Sequence, residues 1–327
     1  MPTPSRTPTP AAQSIQPENR EDVTVLSGIE GHSGPVLGVA FSTDSRVLAS
    51  AGADGMIRLW SVPDGRPLNT IEAHTGWVQT VAFSPDGRWL ASGGNDAVVR
   101  VWDVSDLVNP RPFAEFAGHS GFIFGLSFSP DGRFLASGGG DGLLKVWDVL
   151  NGRELLLQGA GFGVIQQQAL FAIYAVAFHT EGTQLATLDE SGLVRVQDLS
   201  GKIICEAFTA PAATIAYLPG KNVLAIGNEE QLIVLLETDG CQEEGVLEGH
   251  EGAVNAVALN SNGELLISAG EDTTVRLWSL TVEGREDGEA TVLAGHGAAV
   301  ETVAFSPDGL FAASADAEGV IFIWGLE

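Results

Sequence analysis

One pattern of residues recurs along most of the chain and restricts the folds it can adopt. A Gly-His or Ala-His pair is followed nine residues later by Phe or Leu, and then by an acidic residue that precedes tryptophan by six residues. The histidines are His32, His74, His119, His250 and His296, the acidic residues are Asp54, Asp96, Asp141, Asp272 and Glu318, and the tryptophans are Trp60, Trp102, Trp147, Trp278 and Trp324. A recurring period of this length predicts a repeat architecture.

Two weaker copies of the pattern lie between Trp147 and His250. One is centred on Phe178 and has Gln197 at the tryptophan position; the other is centred on Tyr217 and has Leu236 there. Successive tryptophan positions are then 42, 45, 50, 39, 42 and 46 residues apart. The chain therefore contains seven units.

Each unit has the pattern of four short strands. In the second unit, residues 78–83 form a first strand, 84–87 a Ser-Pro-Asp-Gly turn, and 89–92 and 98–102 two further strands, before a last strand that leads to the next histidine. Proline fixes φ in such a turn, and glycine accepts the positive φ that closes it. The sequence predicts an all-β chain that forms a seven-bladed β-propeller of four-stranded antiparallel sheets.

These motifs resemble those of the WD-repeat propeller family, and the Trp-Asp pairs at Trp102 and Trp147 carry the dipeptide of its name. The resemblance implies that His, Ser, Asp and Trp of one blade form a buried hydrogen-bonded chain, called the tetrad below. The expected tetrads are His32, Ser50, Asp54 and Trp60; His74, Ser92, Asp96 and Trp102; His119, Ser137, Asp141 and Trp147; and His250, Ser268, Asp272 and Trp278. In the fourth and fifth units Ser191 and Glu230 stand at the Asp position, so a tetrad is not expected there.

The two ends of the chain are expected to meet in one blade. The last unit stops at its third strand, and residues 24–26, Thr-Val-Leu, repeat residues 291–293. The N-terminal strand should therefore complete the last blade and remove an exposed sheet edge. Residues 1–22 are rich in Pro and Thr and are expected to form a disordered tail before a single propeller at residues 23–327. Deleting residues 1–20 should then leave the melting temperature unchanged.

Net charge and cysteine content narrow the partners and the compartment. The formal net charge is −26, from 42 acidic and 16 basic residues. Such a surface repels nucleic acid and anionic membranes, so neither is expected as a partner, whereas a basic partner is attracted. Cys205 and Cys241 are expected to be reduced thiols in a cytoplasmic protein, and no metal or cofactor is expected.

The resemblance also implies a binding face. Contact positions in the family lie three and five residues after the histidine and at the residue before the Asp of the tetrad. Here they include Trp77, Gln79, Asn95, Phe122, Phe124, Tyr174, Glu190, Glu229, Asn255, Glu271 and Glu301. We call Trp77, Phe122, Phe124 and Tyr174 the aromatic patch, and Glu190, Glu229, Glu271 and Glu301 the acidic arc. An insertion at 159–171 lies beside them, either as a loop that closes on a ligand or as a tolerated insertion.

The function that follows is a non-catalytic protein-interaction scaffold. It would bind a protein or peptide with basic and apolar side chains, as a monomer or as part of a larger complex. The alternative is an enzyme or a calcium-binding propeller that uses the central channel. Against it, the sequence has no Gly-x-Ser-x-Gly elbow, no pair of histidines with metal-ligand spacing and no phosphate-binding loop.

Overall fold

The computed structural model describes residues 13–107, 109–155, 171–280 and 289–327. In these ranges the chain forms one short 3-10 helix and 28 strands, arranged as seven four-stranded antiparallel sheets. None of the helical residues described belongs to a segment long and apolar enough to cross a membrane.

Strand order within each sheet follows the chain, except in the sheet that holds both ends. The chain begins with the 3-10 helix Pro17–Asp22 and strand β1, Thr24–Glu30. Blade 1 contains β2 (Val36–Phe41), β3 (Val47–Gly52), β4 (Met56–Ser61) and β5 (Pro67–Glu72). Blade 2 contains β6 (Val78–Phe83), β7 (Trp89–Gly94), β8 (Val98–Asp103) and β9 (Arg111–Ala117). Blade 3 contains β10 (Ile123–Phe128), β11 (Phe134–Gly139), β12 (Leu144–Asp148) and β13 (Arg153–Glu154).

The remaining four blades repeat this plan. Blade 4 contains β14 (Ile173–Phe178), β15 (Gln184–Asp189), β16 (Leu193–Asp198) and β17 (Ile203–Phe208). Blade 5 contains β18 (Ala212–Tyr217), β19 (Val223–Asn228), β20 (Leu232–Glu237) and β21 (Glu243–Glu248). Blade 6 contains β22 (Val254–Leu259), β23 (Leu265–Gly270), β24 (Val275–Ser279) and β25 (Thr291–Leu293). Blade 7 contains β26 (Val300–Phe305), β27 (Phe311–Asp316) and β28 (Val320–Gly325), and it takes β1 as its fourth strand.

Closure of the ring is visible at both its inner and its outer strands. The first strands of neighbouring blades contact one another in a complete circle, from β2 through β6, β10, β14, β18, β22 and β26 back to β2. Strand β1 pairs with β28 from Thr24 opposite Gly325 to Glu30 opposite Val320. The predicted seven-bladed propeller and its closure by the N-terminal strand are confirmed.

The second strand of each blade carries the core because it is covered on both faces. All six residues of β3 are buried, and so are all six of β7, although both strands contain Ala, Ser and Gly. Small side chains let the neighbouring blades approach closely on either side. Seven apolar clusters result, one between each pair of adjacent blades.

Residues before β1 pack against the ring, although the sequence predicts a disordered tail up to residue 22. Ile15 is 1% exposed and belongs to the apolar cluster between blades 6 and 7. Its backbone N–H donates to the carbonyl of Gly309 at 2.8 Å. The Arg20 guanidinium reaches the hydroxyl of Thr291 and the carbonyl of Glu289. A single isoleucine thus anchors a stretch whose composition is otherwise that of a linker. Residues 13–22 are ordered, in contrast to the prediction. Residues 1–12 lie outside the described ranges.

The two cysteines are joined, which corrects the expectation of reduced thiols. Cys205 in β17 and Cys241 in the turn after β20 form a disulfide with a Cα–Cα distance of 5.7 Å. The two cysteines are 36 positions apart in sequence, and they are close in space because adjacent blades lie side by side. Free thiols were the cysteine-based reason for expecting a cytoplasmic protein, and that reason no longer holds.

Candidate functional site

The polar residues that recur in the repeat face the interior of the blades. In blade 1, His32 Nδ1 lies 3.0 Å from Asp54, and His32 Nε2 lies 2.7 Å from the hydroxyl of Ser50. The indole N–H of Trp60 donates to the same hydroxyl at 2.8 Å. The neutral tautomer fits this geometry: the indole donates to Ser50, Ser50 donates to His32, and His32 donates to Asp54. The tetrad expected from the family resemblance is present.

The same tetrad occurs in blades 2, 3, 6 and 7. Each of the five histidine side chains has no exposed area. Ser, His and Asp also form hydrolase triads, but here the serine hydroxyl accepts from a buried indole and has no path to a substrate. These groups therefore have a structural role: each satisfies a buried polar neighbour, and a buried polar atom without a partner costs about 1–3 kcal/mol.

Electrostatics within the tetrad favour neutral histidine and ionised aspartate. Burial lowers the pKa of His32 and outweighs the opposing effect of Asp54. Burial acts to raise the pKa of Asp54, but the hydrogen bonds that it accepts from His32, the backbone of Ser33 and Arg58 outweigh burial and lower the pKa to about 2. Arg58 Nη1 lies 2.7 Å from Asp54, and Arg100 Nη1 lies 2.7 Å from Asp96 in blade 2. In these two blades an arginine therefore extends the tetrad.

Blade 7 uses a different acidic residue from the one predicted. The spacing to Trp324 selected Glu318, but Asp316 accepts from His296, at 2.8 Å. Asp316 is the last residue of β27, and the equivalent position in blades 1, 2, 3 and 6 is glycine: Gly52, Gly94, Gly139 and Gly270. A side chain at Gly94 would bring its Cβ to 2.6 Å from the His74 ring. Glycine makes room for an aspartate two residues later, whereas in blade 7 the aspartate itself stands in that place.

Blades 4 and 5 carry polar residues at this position but no tetrad. Asp189 accepts from the backbone of Ser191 and Leu193, and Asn228 accepts from the backbone of Leu232. Gln197, at the tryptophan position of blade 4, is 2% exposed, and its side-chain nitrogen has no hydrogen-bond partner within the described residues.

Two of the three predicted contact positions are adjacent in every blade. The backbone N–H of the residue that precedes the Asp position donates to the carbonyl of the residue directly before the first strand, over 2.7–3.0 Å. The donor–acceptor pairs are Ala53–Pro35, Asn95–Trp77, Gly140–Phe122, Glu190–Ala172, Glu229–Pro211, Glu271–Ala253 and Ala317–Ala299. This sevenfold bond arranges the predicted positions around one end of the ring, which we call the upper face.

On the upper face, three members of the aromatic patch are in contact. The rings of Phe122 and Phe124 meet edge to face at 6.2 Å, and those of Phe124 and Tyr174 at 5.2 Å. Trp77 is 46% exposed, and no ring contact joins it to these three in the part of the chain described. Beside it, the amide of Gln79 donates to Asn95 at 2.8 Å. The patch is thus a contiguous group of three rings and one separate indole.

The acidic arc continues from the aromatic patch. Burial together with the nearby carboxylates of Glu190 and Glu229 raises the pKa of Tyr174. Farther along the ring, burial together with Glu271 and Asp316 raises the pKa of Glu301. Glu301 of blade 7 therefore lies close enough to Glu271 of blade 6 for the two negative charges to repel each other. Positive charge brought to this edge would relieve that repulsion.

A cavity of about 590 Å³ opens between the patch and the arc. Its lining includes Tyr174, Glu229, Asn255 and Glu271, four residues predicted from the sequence. The amide of Asn255 is fixed by donating to the carbonyl of Val300 at 3.1 Å.

Gln231 and Glu251 also line this cavity and were not among the predicted residues. Glu251 directly follows His250, and Gln231 directly follows Glu230 at the Asp position, so neither occupies one of the three predicted contact positions. No group of three or more His, Cys, Asp or Glu residues that could hold a metal ion occurs within the described residues. Residues 159–170 of the predicted insertion lie outside those residues, and its last residue, Phe171, is 45% exposed.

Comparison with known proteins agrees with the repeat structure. A family model described as WD domain, G-beta repeat, matches five times, over residues 23–61, 65–103, 110–148, 241–279 and 289–325. These matches correspond to the five units with tetrads.

Curated relatives match over shorter stretches. A p21-activated protein kinase-interacting protein 1-like protein of Gallus gallus is 30% identical over 116 residues, which are 35% of this chain and 31% of the relative. The small ribosomal subunit protein RACK1y of Oryza sativa subsp. japonica is 37% identical over 67 residues, 20% of each chain. Guanine nucleotide-binding protein subunit beta-2 of Caenorhabditis elegans is 26% identical over 112 residues, 33% of this chain and 30% of the relative. The chain thus spans less than a third of the length of these relatives.

Proposed function

The chain belongs to the family of WD-domain, G-beta-repeat proteins, and from that premise we propose that it is a non-catalytic scaffold that binds a protein or peptide on its upper face. The observation that carries the proposal is the cavity where the aromatic patch meets the acidic arc, lined by Tyr174, Glu229 and Glu271, with the Tyr174 ring packed on that of Phe124. The partner presents apolar side chains to the rings of Phe122 and Phe124 and basic side chains to the carboxylates of Glu229 and Glu271.

The chemistry of the upper face supports such a partner. Exposed aromatic rings are common anchors of protein interfaces, since they bury a large area with few rotatable bonds. Trp77 and Phe122 are 46% and 47% exposed, in a protein whose other large side chains are mostly buried. Beside them, the carboxylates attract a basic segment and hasten its association at low salt.

The relatives support the same class of function by their names. One is an interacting protein of a kinase, one is a subunit of a guanine nucleotide-binding protein, and one is a protein of the small ribosomal subunit. Each name describes a protein that works with other macromolecules. The absence of catalysis is part of the proposal, because the five Ser-His-Asp groups are internal to the blades.

A peptide-binding experiment tests the proposal. The probes are two synthetic peptides with the same apolar residues, one alternating them with arginine and the other with glutamate, and anisotropy measures their binding. We expect the basic peptide to bind more tightly, with an affinity that falls as salt rises. Phe124→Ala with Glu229→Gln should weaken that binding at least about tenfold, which corresponds to about 1.4 kcal/mol.

Matched controls separate this face from the general charge of the protein. Leu150→Ala removes a side chain that is 65% exposed in the turn after β12, away from the upper face. Glu243→Gln removes an exposed carboxylate of β21. Both control variants should bind the basic peptide as the parent protein does. Equal loss in the controls, or unchanged affinity after Phe124→Ala with Glu229→Gln, would overturn the proposal.

A further inference from the structure

The disulfide joins the two blades that lack the tetrad. Cys205 belongs to β17, the outer strand of blade 4, and Cys241 to the turn between β20 and β21 in blade 5. In five other blades a tryptophan that is hydrogen-bonded to serine lies against the preceding blade. At the interface between blades 4 and 5, the tryptophan position is Leu236, which cannot make that bond. Gln197 stands at the tryptophan position of blade 4, so the boundary between blades 4 and 5 is one of two that lack this bond, and it is the one that carries the covalent link.

The backbone conformation at Cys241 is one that cysteine rarely adopts. Cys241 lies five residues after the tryptophan position of its blade, as Gly65 does in blade 1 and Gly152 in blade 3. The two glycines have φ values of 66° and 65°, and Cys241 has a φ of 52°. This left-handed region disfavours residues with a Cβ, so cysteine is a strained choice for the turn. The cross-link holds the strained residue in place.

The groups around the link depend on the alignment of the two blades. The hydroxyls of Thr238 and Tyr217 in blade 5 both donate to the side-chain oxygen of Gln184 in blade 4, at 3.0 and 3.3 Å. Thr238 is fully buried. A slight separation of the blades would therefore break its hydrogen bond to Gln184 before water could replace that partner. Cys205 and Cys241 pack against the apolar cluster between these blades and are only partly buried. A thiolate from solvent can therefore approach the disulfide.

We propose that the Cys205–Cys241 disulfide is a redox-sensitive cross-link between blades 4 and 5 that dithiol reductants open. A thiolate of the dithiol attacks one sulfur, the disulfide bond breaks, and a mixed disulfide forms. The second thiolate of the dithiol then displaces the cysteine sulfur. The dithiol is oxidised to a cyclic disulfide. Its two electrons and two protons are transferred to Cys205 and Cys241, which become thiols. The oxidised ring has this boundary fixed, and the reduced ring opens more readily there.

The inference is independent of the proposed function, since it concerns the stability of one boundary and requires no partner. The loop closed by the link contains 36 residues, and reopening a loop of that size increases the freedom of the unfolded chain. We expect reduction by dithiothreitol to lower the melting temperature by about 5–10 °C for a chain of this size. Hydrogen exchange should increase in β17, β20 and β21 more than in the equivalent strands of blades 1 and 2.

Two variants distinguish the link from the strain of the turn. Cys205→Ala removes the link and leaves a strained cysteine at residue 241, whereas Cys205→Ala with Cys241→Gly removes both. Both variants should lose the response to dithiothreitol, and the double variant should melt at a higher temperature than the single one. The proposal is overturned if alkylation before reduction labels both cysteines of the parent protein. It is also overturned if reduction opens the disulfide but changes neither melting nor exchange.

Discussion

Asp316 Oδ2 lies 2.8 Å from His296 Nδ1, and Asp316 occupies the strand position at which four other blades have glycine. Two arrangements thus give the same hydrogen bond to histidine. In one, glycine ends the second strand and the aspartate follows in the turn. In the other, aspartate ends the strand. Each of the five blades with a tetrad has one arrangement, because two aspartates would compete for the space beside the imidazole.

The glycine arrangement predicts a steric effect. Gly94→Ala would place a Cβ 2.6 Å from the His74 ring, so the ring must move away from Ser92 or Asp96. We expect the free energy of unfolding to fall by about 1–3 kcal/mol in urea denaturation. Gly245→Ala is the matched control, since a Cβ there has no neighbour within 4 Å. Equal stability of the two variants would contradict the explanation.

Acid should weaken the ring at a pH set by the tetrads. Burial lowers the pKa of His32, His74, His250 and His296 below 6.5, so the unfolded chain binds protons that the folded chain does not. Their contribution to stability is complete above pH 6.5 and declines as pH falls through the lowered pKa values. Urea denaturation from pH 8 to pH 5 should show this decline. His74→Asn should have a shallower slope; a slope equal to that of the parent protein would exclude histidine titration as its cause.

The N-terminal anchor should be energetically significant, contrary to the expectation from sequence that residues 1–20 are dispensable. Ile15→Ala empties part of the cluster between blades 6 and 7, and we expect a loss of at least about 2 kcal/mol in the free energy of unfolding. Gln13→Ala changes an exposed side chain two residues away and should have little effect. If deletion of residues 1–20 left the melting temperature unchanged, the contact between Ile15 and the ring would carry no stability.

The buried amide of Gln197 predicts a stabilising substitution. Its side-chain nitrogen lacks a partner within the described residues, so Gln197→Leu should raise the free energy of unfolding by about 1 kcal/mol or more. Gln184→Leu is the opposite case, because Gln184 accepts hydrogen bonds from Tyr217 and Thr238 and both would lose their partner. Thermal melting compares the two variants. A destabilised Gln197→Leu protein would mean that the amide is satisfied.

The fold could be predicted from sequence because the same markers occur in several blades. The Gly-His pair, the Ser-Pro-Asp-Gly turn and the tryptophan each report a fixed place within a blade, and their repetition corrects for the loss of any one. The likeness of residues 24–26 to 291–293 identified the closing strand for the same reason.

The differences arise where no repeated marker exists. Glu318 had the right spacing from Trp324, but the choice of Asp316 depends on space around His296. The disulfide joins residues whose proximity comes from adjacent blades, which spacing along the chain cannot give. Ile15 is one apolar residue in a polar stretch, so composition concealed its burial. On the upper face, spacing predicted Tyr174, Glu229, Asn255 and Glu271, which line the cavity, whereas Gln231 and Glu251 occupy turn positions that the spacing rule does not include.

The pairing of β1 with β28 also determines how the molecule responds to mechanical load. Thr24 and Gly325 are directly opposite one another on antiparallel strands, so the two chain ends leave from the same end of one ladder. A force that pulls these ends apart acts perpendicular to the strands, so the hydrogen-bonded pairs of the ladder break one after another. Under tension the contact of Ile15 with blades 6 and 7 should detach first, and the ladder between β1 and β28 should open next.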